Sequence, residues 1–435
     1  MPLQELHLAA RIPKGEVCEK LAHLISLESV IESGRTEANV AQEVVKWCQQ
    51  DGFHSELMEV SEGRPNVLVE WVGTSPGPTL LFEAHSDTVT AGDVAYWTRP
   101  AFSLTQEGDR LYGRGAADTK GNLVAAYMGI RALMQETEGR FPGTIRLLVP
   151  VDEEGMMTGI RHYIASGRAR DVDAAICCEP EDAQVCIRQK GALRLRIEIF
   201  GKMAHGAMPL TGNNPLPVMA QFLVAVAEEE QVTQQTLGFD PFLGWPSITP
   251  TQIEAPIAGP SGFNVVPNSV AISLDIRTVI GQCHDTIRER IQQRLNEVIR
   301  NANCSLEDGH IAYLRNRLEE PICAGEFSSQ LVVLDDRPVT DTPMDHPLVA
   351  AVATAIERQL GNPAIYSGVP GATDGTWLWN AGIPIVTTGA GNRYVPHQSD
   401  EWVSLQQLQD MAAIYAIAAY QFLTNARNAN WEEKS

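Results

Sequence analysis

The sequence predicts a doubly wound α/β domain with a largely parallel sheet, interrupted by a smaller α+β domain of the ferredoxin-like kind. Three observations carry this expectation. Short apolar runs at 66–72, 79–84, 144–151 and 174–178 alternate with helical patterns, the signature of strand–helix–strand winding. From about residue 188 the texture becomes a period-two alternation, GALRLRIEIFG, as an antiparallel strand with one solvated face requires. Past residue 345 the α/β texture returns, so the second domain lies inside the first. The expected boundaries are 1–187, 188–338 and 339–435.

Size and composition agree with more than one core. The chain has 435 residues, and single cores rarely grow past about 250. Its 33 Lys and Arg stand against 54 Asp and Glu, for a formal charge of -21 without a basic run. That balance argues against nucleic acid and anionic membrane, both of which are bound through clustered cations. No apolar stretch approaches the roughly 18 residues of a membrane helix, and the first residues, MPLQELHLAARIPKGE, lack a basic region followed by an apolar one. A cytoplasmic protein is expected. The eight cysteines form no C-x-x-C pair and suit reduced, mostly buried thiols.

In order, residues 14–52 carry two helical patterns around a polar loop, and two apolar runs, 66–72 and 79–84, follow as strands. The second stops at His85-Ser86-Asp87. A loop leads to LYGRGAADTKG, where Asp118 sits in a glycine-rich turn before a helix over 122–135. The run 144–151 passes straight into Asp152-Glu153-Glu154-Gly155, and 174–178 ends in Glu179-Pro180. In the middle region, helices are expected at 217–229 and 286–301 and strands at 188–200, 269–278 and 331–335. Residues 303–330 fit that plan poorly and read as an insertion. A helix over 348–360, the loop GVPGATDGTW, a strand at 384–388, the segment GAGNRYVPHQSDEW and a helix over 405–423 complete the chain.

Four buried strands thus finish at or beside polar residues, and ligands bind beyond the carboxyl ends of such strands. An imidazole ligand usually has its second nitrogen fixed by a carboxylate, a task for which Asp87 is well spaced from His85. Adjacent carboxylates at a buried strand end repel unless a cation neutralises them. His85, Asp118, Glu154, Glu179 and His397 therefore form a candidate ligand set, with Asp87 and Glu153 as neighbours. Two imidazoles and three carboxylates suit zinc, with manganese or cobalt as alternatives. Paired ions about 3.5–4 Å apart clamp a hydroxide and polarise a carbonyl. A spare carboxylate must then move the proton, and Glu153 suits that role.

AHSDTV, LYGRGAADTKG, VDEEG, CEPE, GKMAHGAMP with GNNP, and VPHQSDEW occur in this order. Together they resemble the metallopeptidase family of aminoacylase, acetylornithine deacetylase, succinyl-diaminopimelate desuccinylase and bacterial glutamate carboxypeptidase. The resemblance implies a catalytic α/β domain, an inserted lid and dimerisation domain, and a homodimer. It implies two divalent ions bridged by Asp118, one held by His85 and Glu179 and the other by Glu154 and His397. Asp87 would orient His85, and Glu153 would be the general base for attack by metal-bound hydroxide. His205 matches a histidine that reaches the partner's active site and stabilises the oxyanion. Asn264 and Arg277 match substrate-binding positions, the arginine as a grip for a carboxylate.

Taken without the family, His205 reads equally as a surface histidine, Asn264 as a turn cap and Arg277 as an ion-pair partner. Met156, Met157, Tyr394, Trp377 and Trp379 either line an apolar pocket or belong to the core. The expected reaction is hydrolysis of an amide in an N-acyl amino acid or small peptide with a free carboxylate. The alternatives are hydrolytic deamination of a carboxylated aromatic amine at the same metals, a single occupied metal site, and a silent binding protein, against which the intact ligand series speaks.

Overall fold

A computed structural model describes residues 8–30, 36–306 and 325–425. The chain begins α1 (Lys14–Ser26), α2 (Ala38–Asp51), β1 (His54–Ser61), β2 (Arg64–Val72), β3 (Ser75–Glu83), β4 (Thr105–Glu107) and β5 (Arg110–Tyr112). Next come α3 (Lys120–Thr137), β6 (Pro142–Val149), α4 (Thr158–Ala165), β7 (Ala174–Cys177) and β8 (Val185–Gln189). The middle region holds β9 (Gly191–Phe200), β10 (Ala204–His205), α5 (Pro215–Leu237), β11 (Ser247–Glu254), β12 (Val265–Val266), β13 (Ser269–Thr278), α6 (His284–Leu306) and β14 (Ser328–Arg337). The last part runs β15 (Thr340–Asp341), α7 (Pro347–Leu360), β16 (Tyr366–Val369), α8 (Gly375–Asn380), β17 (Ile385–Thr387), β18 (Trp402–Ser404) and α9 (Leu405–Asn425). Two compact units result, Met1–Gln189 with Thr340–Ser435, and Lys190–Val339.

In the first unit the sheet order is β1-β2-β6-β3-β7-β17-β8-β15, with β16 also paired to β8. Its centre, β6-β3-β7-β17, is parallel, and antiparallel strands lie outside it. Successive side chains of a strand point to opposite faces, and both faces of β3 are covered. Phe82 meets Tyr415 of α9 edge-on at 5.5 Å, whereas Leu81 packs with Ile160 and Tyr163 of α4. This is why β3 reads as an unbroken apolar run. Such two-sided burial also puts the strand's end, Glu83 and the residues after it, inside the protein.

The second unit has a four-stranded antiparallel sheet of order β11-β13-β9-β14. With α5 after β9 and α6 after β13, this is the ferredoxin-like arrangement. Leu193, Leu195, Ile197 and Ile199 of β9 face Val218, Phe222 and Val226 of α5 and Ile291 and Leu295 of α6 in one apolar core. The alternate residues Arg194 and Arg196 pair with Asp275, Asp335, Glu198 and Glu254 on the other face.

Several strands drew no expectation from the sequence, among them the buried β8 and the edge strands β1 and β11. β1 and β11 lie at sheet edges, and β11 is mostly exposed with a register shift between Pro250 and Gln252. An edge strand needs no apolar alternation and tolerates proline. The expected insertion at 303–330 also shrinks: α6 continues to Leu306 and β14 begins at Ser328, while 307–324 lie outside the described residues. Among the described residues no helix is long and apolar enough to cross a membrane.

Candidate metal centre

The first unit brings five expected ligand side chains together. His85 lies just past β3 and is fully buried. Its Nδ1 donates to the Asp87 main-chain carbonyl at 3.0 Å, and its Nε2 lies 3.0 Å from Asp118 Oδ1 and 3.9 Å from Glu179 Oε1. Asp118 Oδ2 is 3.4 Å from His397 Nε2, which in turn is 2.9 Å from Glu154 Oε1. Ligating atoms of His85, Asp118 and Glu154 all fall within 4.8 Å of one another.

Local structure explains how loops reach this point. Asp118 follows a tight turn in which Gly115 has φ 84, and a Cβ there would come within 2.8 Å of Thr88 Cγ2. The loop needs glycine for both its backbone angle and its close approach. Glu179 lies two residues past the end of β7, and its side chain is buried there. Asp87 was expected to orient His85 through its carboxylate, but the ring is held by its main-chain carbonyl. Its carboxylate is 3.5 Å from the ring, farther than its own carbonyl, and it accepts the amides of Glu153 at 3.1 Å and Glu154 at 3.0 Å. It fastens one ligand loop to another.

The electrostatics express crowded negative charge. Burial, with the charge of Asp118, raises the Glu154 carboxyl above its ordinary range, and burial likewise raises Glu179, with Asp118 and Glu153 adding to the effect. Glu153 is 8% exposed, and its carboxyl is raised by burial and by Glu154 and Asp118. Asp118 is lowered despite burial, because His397 and His85 hydrogen-bond to it. The His397 ring is pushed up to about 10 by its hydrogen bonds to Asp118 and Glu154. A divalent cation bound here would relieve the same crowding of negative charge, since metal binding displaces protons from such ligands. Glu179 Oε1 is buried with no hydrogen-bond partner among the described residues. The mixed imidazole and carboxylate set therefore fits zinc, manganese or cobalt.

The remaining expected residues lie in the second unit. His205 is exposed in β10, opposite Val265, and its Nδ1 accepts the Ala207 amide at 3.0 Å. Asn264 is exposed beside it, its carbonyl accepting the Gly206 amide at 2.7 Å. Arg277 donates to both oxygens of Asp275, at 2.6 and 3.1 Å. Its fork is thus taken by an ion pair within the charged face of the sheet. Of the aromatic and methionine candidates, Met157 is fully buried and packs with Ile160 and Tyr163, with Trp377 against them. Met156 and Tyr394 face solvent.

Sequence reasoning missed several residues of the site. Glu83 and Asp374 are both fully buried, and all four of their oxygens lack a hydrogen-bond partner among the described residues. A carboxylate inside the apolar run TLLFEA was the available signal for Glu83. Lys120, in the same turn as Asp118, is buried and donates to the carbonyls of Leu24 and Leu27, each at 2.9 Å. Glu401 and Arg114 form a buried ion pair of 2.6 Å behind Asp118.

Comparison with known proteins bears on the family and the fold. The sequence model of Peptidase family M20/M25/M40 matches residues 81–421. A probable succinyl-diaminopimelate desuccinylase of Staphylococcus aureus is 25% identical over 429 residues, covering 93% of this chain and 98% of its own. An M20 family metallo-carboxypeptidase from Sulfolobus solfataricus has a similar structure, with a TM-score of 0.74 at 19% identity over 94% of this chain and 99% of its own. A dinuclear metal binding peptidase of the M20 family from Bacillus subtilis gives 0.65 at 15% identity, covering 94% and 99%.

Proposed function

The chain belongs to peptidase family M20/M25/M40, and on that premise we propose that it hydrolyses the amide of an N-acyl amino acid or small peptide bearing a free carboxylate. Metal-dependent amide hydrolysis follows from the family and its desuccinylase relatives. The observation that carries the proposal is the Asp118 carboxylate, which offers one oxygen to His85 and the other to His397. A carboxylate so shared suits a bridge between two ions, His85 and Glu179 holding one and Glu154 and His397 the other. Zinc is the expected metal, with manganese or cobalt as alternatives. Two bound ions would supply Lewis acidity, polarising the scissile carbonyl and lowering the pKa of bound water from roughly 16 to about 7.

The chain's own residues do the rest. Asp87 holds the Glu153 and Glu154 amides and so sets the height of the loop that carries the base. Glu153, buried beside the ligands but not needed as one, takes the proton of the attacking water and passes it to the leaving nitrogen. His205 of the partner subunit would hold the oxyanion of the tetrahedral intermediate in a homodimer, with Asn264 beside it contacting substrate. Arg277 can grip a substrate carboxylate only if Asp275 yields. The seven free cysteines among the described residues support a reducing, cytoplasmic setting.

The test is a substrate screen of metal-loaded protein against N-succinyl and N-acetyl amino acids, dipeptides and carboxylated aryl amines. Amino acid and ammonia are detected separately, with a chelator control. Chelator-sensitive release of an amino acid is expected. Chelator-sensitive ammonia from an aryl amine would overturn the assigned reaction in favour of deamination.

A further inference from the structure

Each of the two candidate histidine ligands is followed by a buried carboxylate that clamps a loop bearing carboxylate ligands. Asp87, two residues after His85, accepts the consecutive amides of Glu153 and Glu154. Glu401, four residues after His397, accepts the consecutive amides of Ala117 and Asp118 through Oε1, at 2.9 and 3.1 Å. Its Oε2 accepts Arg114 Nη1 at 2.6 Å. Glu401 is 1% exposed and Arg114 is 2%. The guanidinium also lies over the Trp97 ring, 5.2 Å from its centroid.

The surrounding backbone shows what the clamp joins. β18 pairs with β5 so that Trp402 stands opposite Tyr112, and the Gly113 amide donates to the Glu401 carbonyl at 2.9 Å. On the His397 side, His397 and Asp400 have φ of 65° and 55°, the left-handed conformation in which a Cβ is disfavoured. Such a loop keeps its shape only if its surroundings hold it. Asp400 is tied to the Thr98 amide at 2.9 Å, and Glu401 ties the loop to Asp118.

We infer that Glu401, with Arg114 as its buried counter-charge, is a positioning residue that sets the separation of Asp118 from His397 and thereby the affinity of one metal ion. That ion is the one assigned to Asp118, Glu154 and His397. The ion assigned to His85 and Glu179 keeps its own support, because the His85 ring stays held by the Asp87 main-chain carbonyl. The inference rests on the two-ion assignment proposed above. Removing the Glu401 carboxylate orphans two main-chain donors and a buried guanidinium, and it unties Asp118 from the loop that carries His397, four residues before Glu401.

The test is zinc binding to the chelated full-length chain by calorimetry, comparing wild type with Glu401→Ala and Glu401→Gln. Wild type should take two ions. Glu401→Ala should keep one at near-normal affinity and bind the other about ten- to a hundred-fold more weakly, the usual effect of losing a group that supports a ligand. Glu401→Gln retains an oxygen for the two amides and should show a smaller loss confined to the same ion; it decides the matter alone if Glu401→Ala does not fold. Equal weakening of both ions, as a generally loosened fold would give, overturns the inference, as does unchanged binding. A wild type that binds fewer than two ions removes the two-ion assignment as well, whereas two ions with no selective loss removes only the role of Glu401.

Discussion

Glu153 and Glu154 are neighbours in sequence with different tasks in the proposed mechanism, and the difference lies in what each touches. Glu154 reaches His397 at 2.9 Å, so its loss should weaken metal binding. Glu153 is fixed through its backbone, by the Asp87 carboxylate, and its own carboxylate stays available. Glu153→Ala should therefore retain zinc while kcat falls by about 10²–10⁴ or more, the usual worth of a general base. Steady-state kinetics beside metal analysis checks this, and a near-normal kcat would remove Glu153 from the mechanism. His85, Glu154 and Glu179 were legible because each comes where an apolar run stops abruptly, whereas Asp118 was marked by its glycine-rich turn and His397 by the segment VPHQSDEW. Glu401 gave no comparable signal: its purpose depends on amides at 117 and 118, nearly 300 positions away, and no local pattern encodes that contact. The family resemblance offered Arg277 as a substrate grip with an ion pair as its rival, and the structure pairs it with Asp275 two residues away on its own strand.

β3 shows how an element serves stability and chemistry together. Its alternate residues are locked by α9 on one face and α4 on the other, so the histidine at its end inherits a rigid base. Phe82→Ala should cost about 3–5 kcal/mol, as large-to-small changes in a packed core do. Tyr415→Phe, which loses the hydroxyl donation to the Thr388 carbonyl at 2.8 Å and a longer contact with Asn122 Oδ1 at 3.5 Å, should cost about 1 kcal/mol. Urea unfolding of both variants tests the ordering, and a Tyr415→Phe cost equal to that of Phe82→Ala would contradict it. The same packing decides which elements a sequence reveals. Central strands and helices with one buried face carry their period openly. β11, exposed along most of its length, meets no such demand, so its polar, proline-containing sequence carries no strand signal.

For the whole molecule, the change of texture near residue 188 and its reversal past 345 reflect two different burial regimes. The first unit's central strands are covered on both faces, whereas the second unit's sheet has one apolar and one charged face. If His205 acts across a homodimer, mixing inactive His205→Ala and Glu153→Ala chains should restore part of the activity, because one site per mixed dimer would be whole. No recovery in verified mixed dimers would contradict the cross-subunit role. The central claim is that paired ions at Asp118 carry out amide hydrolysis. Its most direct measurement is a zinc titration of the chelated protein that follows bound metal and amide cleavage together. Cleavage that is absent after chelation and returns as zinc fills two sites per chain is the expected result. Cleavage that survives complete chelation, or saturation with no ion bound, would contradict the account.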